Sequence, residues 1–311
     1  MYKYTFLIPA YKSQFLDELL RSIKNQHFSD FEVIISDDNS PEDLYSIVAP
    51  YLDDIRYHYR RNKTNIGGSN LVSHWNMLVD LCESDYCIMA GDDDVYDERF
   101  LERLDILVSA YPNVDLFRAR TCRINENGER FEEEHIYDAF EDQIKFFANY
   151  NERIHCIGNY VFKTDSLKAV NKFVYFPLAW GSDSATALSC SKEGVAHTNE
   201  ILFYFRRSSL NLSYANKSDA LMAKQKIEAI CLFYNWIVKY VDDIQSDKSQ
   251  INDYLMKKGQ KAYRDRIESQ IITYYRLLGF KESYNLFIWM ILNGFLSRTR
   301  RKVSYIVRWF I

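Results

Sequence analysis

The chain has 311 residues, with 39 Lys+Arg against 43 Asp+Glu and a formal net charge of -4. Its 47% hydrophobic and 26% charged residues suit one large domain or two modest ones with a sizeable core, and exclude a disordered tail. The acidic balance argues against a nucleic-acid binder, and only 10 Gly and 5 Pro exclude collagen-like and low-complexity chains.

In chain order, Tyr4 to Ile8 is a short apolar run stopped by Pro9, the pattern of a buried strand ending in a loop. Ser13 is placed to cap a helix whose apolar face is Leu16, Leu19, Leu20 and Ile23. Phe31 to Ser36 is a second buried strand, ending in the polar turn Asp37-Asp38-Asn39-Ser40-Pro41. Ile55 to Tyr59 predicts a third strand, Leu71 to Cys82 a helix, and Tyr86 to Ala90 a fourth strand that runs into Gly91-Asp92-Asp93-Asp94. This alternation predicts an α/β fold: an open, mostly parallel twisted sheet with helices on both faces. Such sheets bind ligands beyond the carboxyl ends of their strands, where this chain has Pro9-Ala10-Tyr11, Asp37-Asp38 and Asp92-Asp93-Asp94.

Further on, Val114–Phe117, Ile157–Phe162 and Ile201–Phe205 are strand-like, and after about residue 215 the chain becomes helical and aromatic-rich. The polar stretch Ser208 to Ser218, including Ser213 and Asn216, marks the expected boundary between a domain at 1–212 and a helical region at 213–311. No two glycines are separated by one residue, so G-x-G-x-x-G is absent, as is a P-loop. The six cysteines form no C-x-x-C pair and the histidines no zinc pattern, which suits a reduced, cytoplasmic protein. The N-terminal apolar run is too short for a signal peptide, and no stretch of about 18 apolar residues exists.

Packed carboxylates repel one another, and a hard cation relieves that repulsion while leaving positions for phosphate oxygens. Oxygen ligands favour Mg²⁺ or Mn²⁺ over zinc. The bland alternative for Asp92-Asp93-Asp94 is a solvated turn before a helix capped at Asp97-Glu98. The buried strand in front and the matching Asp37-Asp38 turn favour the functional reading.

At this point the segment from Thr5 to Asp43 resembles the start of family 2 glycosyltransferases of GT-A fold. The matching residues are Pro9-x-Tyr11, Ser22-Ile23, Gln26, Phe28, Phe31-Glu32 and Asp37-Asp38-Asn39-Ser40. Asn65-Ile66-Gly67-Gly68, Trp75-Asn76 and Gly91-Asp92-Asp93-Asp94 resemble later blocks, so that the resemblance covers residues 4 to 210. It implies a GT-A-type sheet and inverting transfer of a sugar from a nucleotide-diphosphate donor, with a UDP-sugar expected, to a glycan or lipid-linked hydroxyl.

The same resemblance implies roles. Tyr11 stacks on the base and Asp38 hydrogen-bonds it, while Pro9, Asn65, Asp92 and Arg207 belong to the donor side. Asp92-Asp93-Asp94 takes the place of the D-x-D motif that holds Mn²⁺ or Mg²⁺ on the diphosphate, with Asp93 the first choice of ligand. Many members carry another Asp where this chain has Gly91. Trp180-Gly181-Ser182-Asp183 stands at the G-E-D block, making Asp183 the catalytic base and Trp180 an acceptor-side residue, with Ser182 where Glu is usual. The alternative for Asp183 is a helix N-cap. Arg206-Arg207 and the loop after them stand where a basic loop closes over the diphosphate, against two solvated edge arginines.

The chain ends with an apolar run, 286–296, followed by Arg298, Arg300, Arg301, Lys302 and Arg308 without acids. That suits either contact with an anionic membrane surface at the inner face or a packed helix with a basic face. A function from another class, a catalytically silent sugar-nucleotide-binding or scaffold module, is opposed by Asp92-Asp93-Asp94 and Asp183. A nucleotidyltransferase would want a glycine-rich loop where Ala10-Tyr11-Lys12-Ser13 stands.

Overall fold

The computed structural model describes residues 1–211, 220–247 and 253–275, with isolated positions between 281 and 292. Ser213, Asn216 and Ser218 of the polar stretch, and the basic tail from Arg298 to Arg308, lie outside the described residues. In chain order the elements are β1 (Tyr4–Ala10), α1 (Leu16–Lys24), β2 (Phe31–Asp37), α2 (Leu44–Val48), β3 (Tyr57–Arg61), α3 (Gly67–Leu81), β4 (Tyr86–Met89), β5 (Val95–Tyr96) and α4 (Phe100–Ala110). The second half adds β6 (Leu116–Ile124), β7 (Arg130–Glu133), β8 (Phe140–Glu141), α5 (Gln143–Ala148), β9 (Tyr160–Lys163), α6 (Thr164–Ala169), α7 (Ser182–Ser189), β10 (Val195–Arg206), α8 (Ala220–Asp247) and α9 (Asp253–Tyr275).

The strands form one mixed sheet in the order β3-β2-β1-β4-β9-β6-β10-β5, with β7 on β6 and β8 on β10. β3, β2, β1 and β4 are mutually parallel. β9 lies antiparallel between β4 and β6, which restores the common direction for β6 and for its parallel neighbour β10. The carboxyl ends of β1, β2, β4 and β10 therefore share one rim. Alternation of side chains assigns β1 to two cores. Tyr4, Phe6 and Ile8 join α1, α2 and α4 on one face, while Leu7 faces α3 and α7 on the other.

Helix α1 buries Leu16, Leu19, Leu20 and Ile23 as their spacing predicts, each worth about 2 kcal/mol of apolar transfer. Ser13 does not cap it. Phe15 precedes the first turn with no side-chain cap, and Asp17 and Glu18 supply negative charge at the helix start. Ser13 instead gives its amide to Glu42 at 2.7 Å. The third strand starts at Tyr57, not Ile55, because Asp54 folds back on Arg56 through its backbone and guanidinium. Helix α3 begins at Gly67, ahead of Leu71, and is interrupted at Asn70, whose φ is -154° and ψ 91°. Residues Ile157–Asn159 form a 3-10 turn rather than strand. Asp97 does not cap α4, which begins after Arg99 without a side-chain cap.

The aromatic-rich C-terminal helices share the second core. Phe233, Ile237, Tyr240 and Val241 of α8 and Met256 and Tyr263 of α9 are buried with α5 and α7 residues. Tyr263 stacks on Phe147 at 4.9 Å and on Tyr150 at 3.9 Å between ring centroids. Among the described residues no helix is long and apolar enough to cross a membrane.

Candidate active site

A cavity of about 430 Å³ opens at the common rim, lined by Pro9, Tyr11, Lys12, Asp38, Asn65, Gly67, His74, Trp75, Asp92, Asp93 and Asn211 among others. Its walls come from the ends of β1, β2 and β4, the start of α3 and the loop after β10. Pro9, Tyr11, Asp38, Asn65, Asp92 and Asp93, singled out from sequence, thus meet in one place although up to 84 positions apart (9 to 93).

Asp38 sits at the cavity floor, 3% exposed. Its Oδ1 accepts from Asn62 Nδ2 at 2.8 Å and from the Ile66 amide at 2.9 Å. Its Oδ2 accepts from the Gly67 amide at 2.6 Å. A carboxylate so held is fixed in direction and keeps spare lone-pair capacity. His74 approaches Asp38 Oδ2 to 3.6 Å; burial lowers its pKa, against the pull of Asp38. Tyr11, 39% exposed, stands at the mouth, its carbonyl accepting from Ser40 Oγ at 2.6 Å. The preceding Asp37 has a structural role: buried, it accepts from Tyr59 Oη at 2.6 Å and Arg61 Nη1 at 2.5 Å.

The acidic turn divides its labour. Asp92 Oδ2 accepts from the backbone amides of Tyr11 at 2.9 Å and Lys12 at 2.8 Å, which ties the end of β4 to the end of β1. Asp93 Oδ2 accepts from Lys12 Nζ at 3.1 Å and Asn211 Nδ2 at 3.0 Å. Lys12 Nζ is also 3.2 Å from Asp92 Oδ1. Asp94, expected among the metal ligands, is turned inwards, where its Oδ1 accepts from the Arg206 amide at 3.1 Å. It does not line the cavity, because β10 claims it. Burial raises the pKa of Asp93, opposed by Lys12 and reinforced by Asp92. Burial works against the charge of Lys12, but Asp92 and Asp93 outweigh it and its pKa rises.

Among the described residues no group of three or more His, Cys, Asp or Glu side chains forms a metal site. Two carboxylates, Asp92 and Asp93, face one cation position, which Lys12 Nζ fills. An oxygen-only set of this kind fits Mg²⁺ or Mn²⁺ when phosphate oxygens and water complete the octahedron.

Arg207 lines a different hollow, with Asn125, Glu126, Phe131 and Ser208, so it does not join the cavity. Only one of the pair is solvated: Arg207 is exposed, whereas Arg206 is fully buried, donates Nε to the Asp93 carbonyl at 2.9 Å and pairs with Glu18 at 2.6 Å. The loop still closes on the site, through Leu210 and Asn211.

Asp183 and Trp180 do not line the cavity. Trp180 follows the 3-10 turn Pro177–Ala179, which packs against α3, whose Leu71, His74 and Trp75 line the cavity, and Asp183 lies three residues further on in α7. Asp183 lies inside the first turn of α7, not at its N-cap, which is Gly181 with φ 88°. Its Oδ1 accepts from the Ser184 amide at 2.7 Å. Burial raises its pKa, partly offset by that amide and by Arg266 of α9. Leu178 and Ala179 have φ of 57° and 53°, a conformation that costs side-chain-bearing residues about 1 kcal/mol or more each. Trp180 and Asp183 thus follow a strained segment. Lys226 Nζ lies 4.8 Å from the Trp180 ring centroid.

With this geometry in view, comparison with known sequences is decisive. The family description "Glycosyl transferase family 2" matches residues 5–170, more than half of the chain. The chain belongs to glycosyl transferase family 2. The family match runs from the second residue of β1 to beyond β9, and so includes every cavity residue except Phe205, Leu210 and Asn211.

A GalNAc(5)-diNAcBac-PP-undecaprenol beta-1,3-glucosyltransferase of Campylobacter jejuni is 34% identical over 96 residues, 30% of each chain. The poly(ribitol-phosphate) beta-N-acetylglucosaminyltransferase TarS of Staphylococcus aureus is 28% identical over 105 residues, 33% of this chain and 18% of TarS. The matches thus span less than a third of those relatives. Among solved structures, S. aureus TarS 1-349 in complex with UDP-GlcNAc superposes with a TM-score of 0.59 at 16% identity, over 89% of this chain and 84% of that one. Mannosyltransferase PcManGT from Pyrobaculum calidifontis, in complex with GDP-Man and Mn2+, gives 0.55 at 12% identity over 98% and 83%. These likenesses place the fold among GT-A-like family members.

The sequence alone gives no role to Lys12, Asn62 and His74, whereas Asn211 lies in the loop expected to close over the diphosphate. Lys12 adjoins Tyr11 in the first strand-end loop, which was its one available signal. Asn62, His74 and Asn211 act through partners 12 to 118 positions away, a pairing no local pattern carries.

Proposed function

We propose that this family 2 member is an inverting glycosyltransferase, moving a sugar from a nucleotide-diphosphate donor, expected to be a UDP-sugar, to a hydroxyl of a glycan or lipid-linked acceptor. The observation that carries the reading is the meeting of Tyr11, Asp38, Asp92 and Asp93 in one rim cavity, from three strand ends. Support for the donor class comes from the UDP-GlcNAc complex of TarS, and for the acceptor class from the undecaprenol-linked substrate in the C. jejuni enzyme's name.

In this reading Tyr11 lies against the base, and Asp38, fixed by Asn62, Ile66 and Gly67, accepts a hydrogen bond from its edge. Asn65 borders the same end. Asp92 and Asp93 hold Mn²⁺ or Mg²⁺, and the PcManGT complex supports a divalent ion. When bound, that ion supplies positive charge to the departing diphosphate. The Asp183 carboxylate takes the acceptor hydroxyl proton as that oxygen bonds to the anomeric carbon. The bond from that carbon to the diphosphate oxygen breaks, and the nucleoside diphosphate leaves. One base suffices, because no covalent sugar intermediate forms. Trp180, beside Asp183, offers a ring to the acceptor.

The test is nucleoside diphosphate release and product formation with UDP-sugars and divalent metal. Asp183→Asn should reduce transfer at least about 100-fold while donor affinity stays within about twofold. Equal loss of both would make Asp183 structural and remove it as the base. The basic tail supports a cytoplasmic enzyme held on the inner membrane face. Deleting 286–311 should abolish co-sedimentation with anionic vesicles, and a truncated chain that still sediments refutes this.

A further inference from the structure

The position between Asp92 and Asp93 holds an organic cation belonging to the chain itself. Lys12 Nζ lies 3.2 Å from Asp92 Oδ1 and 3.1 Å from Asp93 Oδ2. The two carboxylates are fixed: Asp92 by the amides of Tyr11 and Lys12, Asp93 by Asn211. Their side chains are 7% and 10% exposed, against 29% for Lys12. The lysine is therefore the member with room to move, on four rotatable bonds, toward an open cavity that its side chain already lines.

We propose that Lys12 is a resident counter-cation that excludes divalent metal from Asp92 and Asp93 until a diphosphate draws its ammonium away. This rests on the reading of the cavity as a nucleotide-diphosphate site. Three consequences follow from charge alone. An ammonium and a divalent ion cannot share a position about 3 Å across, since like charges repel strongly there. A diphosphate entering the cavity offers Lys12 new oxygen partners and vacates the carboxylates. Metal and nucleotide therefore bind with positive coupling, which is reciprocal, and the site does not hold metal without donor. Lys12 is a positioning residue for the donor complex.

The experiment measures Mn²⁺ binding by calorimetry and by paramagnetic resonance of free Mn²⁺, first with metal alone and then with UDP. Lys12→Met should bind Mn²⁺ at least about tenfold more tightly than the wild type without nucleotide, and should show a smaller gain on adding UDP. Asp93→Asn in the Lys12→Met background should erase the gain. Lys12→Gln, neutral but still a hydrogen-bond donor, carries the same expectation should Lys12→Met fail to fold. Equal Mn²⁺ affinity in wild type and variant, no binding by either, or a gain that survives Asp93→Asn would each overturn the proposal. The metal-alone comparison decides the role of Lys12 even if UDP binds neither protein. That second result would instead refute the nucleotide reading.

Discussion

At Gly67 the rim cavity has no room for a side chain. A Cβ there would come within 2.9 Å of Asp38 Oδ2, and Asp38 is buried and fixed on three donors. Gly67→Ala should therefore push Asp38 aside, cost about 1–3 kcal/mol of stability in thermal unfolding and weaken nucleotide binding about tenfold in a calorimetric titration. Unchanged affinity would mean that Asp38 does not face the base. At Asp183 the prediction concerns pH. Burial raises its pKa above the ordinary 3.8, and a base acts only when ionised. With Asp183 as the proposed base, turnover should rise with pH through a pKa higher than that of a free aspartate, and Asp183→Asn should lose that limb. The placement of such residues was partly legible. Asp38 and Asp93 stood at the ends of apolar runs. The inward turn of Asp94 was not legible, because it depends on an amide 112 positions later.

Among elements, the strands that form the rim were the most readable, since β1, β2 and β4 are short, largely apolar runs that end at turn residues. Their buried faces leave one register. The apolar pattern predicts strand only over Ile201–Phe205, but β10 runs from Val195 to Arg206, with register shifts against β6 between His197 and Phe203 that break any simple alternation. His197 in this strand lies 3.0 Å from Glu141. Burial drives its pKa down to about 4 from 6.5, so the unfolded chain binds a proton that the folded chain refuses between those values. Stability is full above pH 6.5 and falls as pH drops toward 4, by about 3 kcal/mol at most for this group. Glu141, raised by burial but pulled lower by His197 and Arg153 to about 2, adds its own loss mainly below pH 4.5. Chemical denaturation across this range should show the slope, and His197→Gln should flatten its upper part. A slope unchanged in His197→Gln would assign it elsewhere.

At the scale of the molecule, one sheet rim collects Tyr11, Asp38, Asp92 and Asp93, while α8 packs against the 3-10 turn Pro177–Ala179. Phe233 of α8 would meet a Cβ on Gly181 at 3.1 Å, so it packs directly on the segment that precedes Asp183. Phe233→Ala should cost about 3–5 kcal/mol of stability. If Asp183 is the base, as proposed, it should also lower turnover more than donor affinity, because Phe233 packs on the segment before Asp183 and does not line the rim cavity. An equal effect on both would make α8 a general support. The sequence showed that the C-terminal region is helical and aromatic, but not where those aromatics pack. Their partners, Phe147, Tyr150 and Gly181, lie on elements far back in the chain. The central claim is that the rim cavity binds a nucleoside diphosphate through Asp38 at one end and Asp92 and Asp93 at the other. Calorimetric titration of UDP into the full chain, with and without Mn²⁺, tests it most directly. The account predicts binding that Mn²⁺ strengthens, with Asp38→Ala weakening UDP in both conditions and Asp93→Asn removing only the metal-dependent part. Contradiction would come from UDP affinity indifferent to metal and to both substitutions.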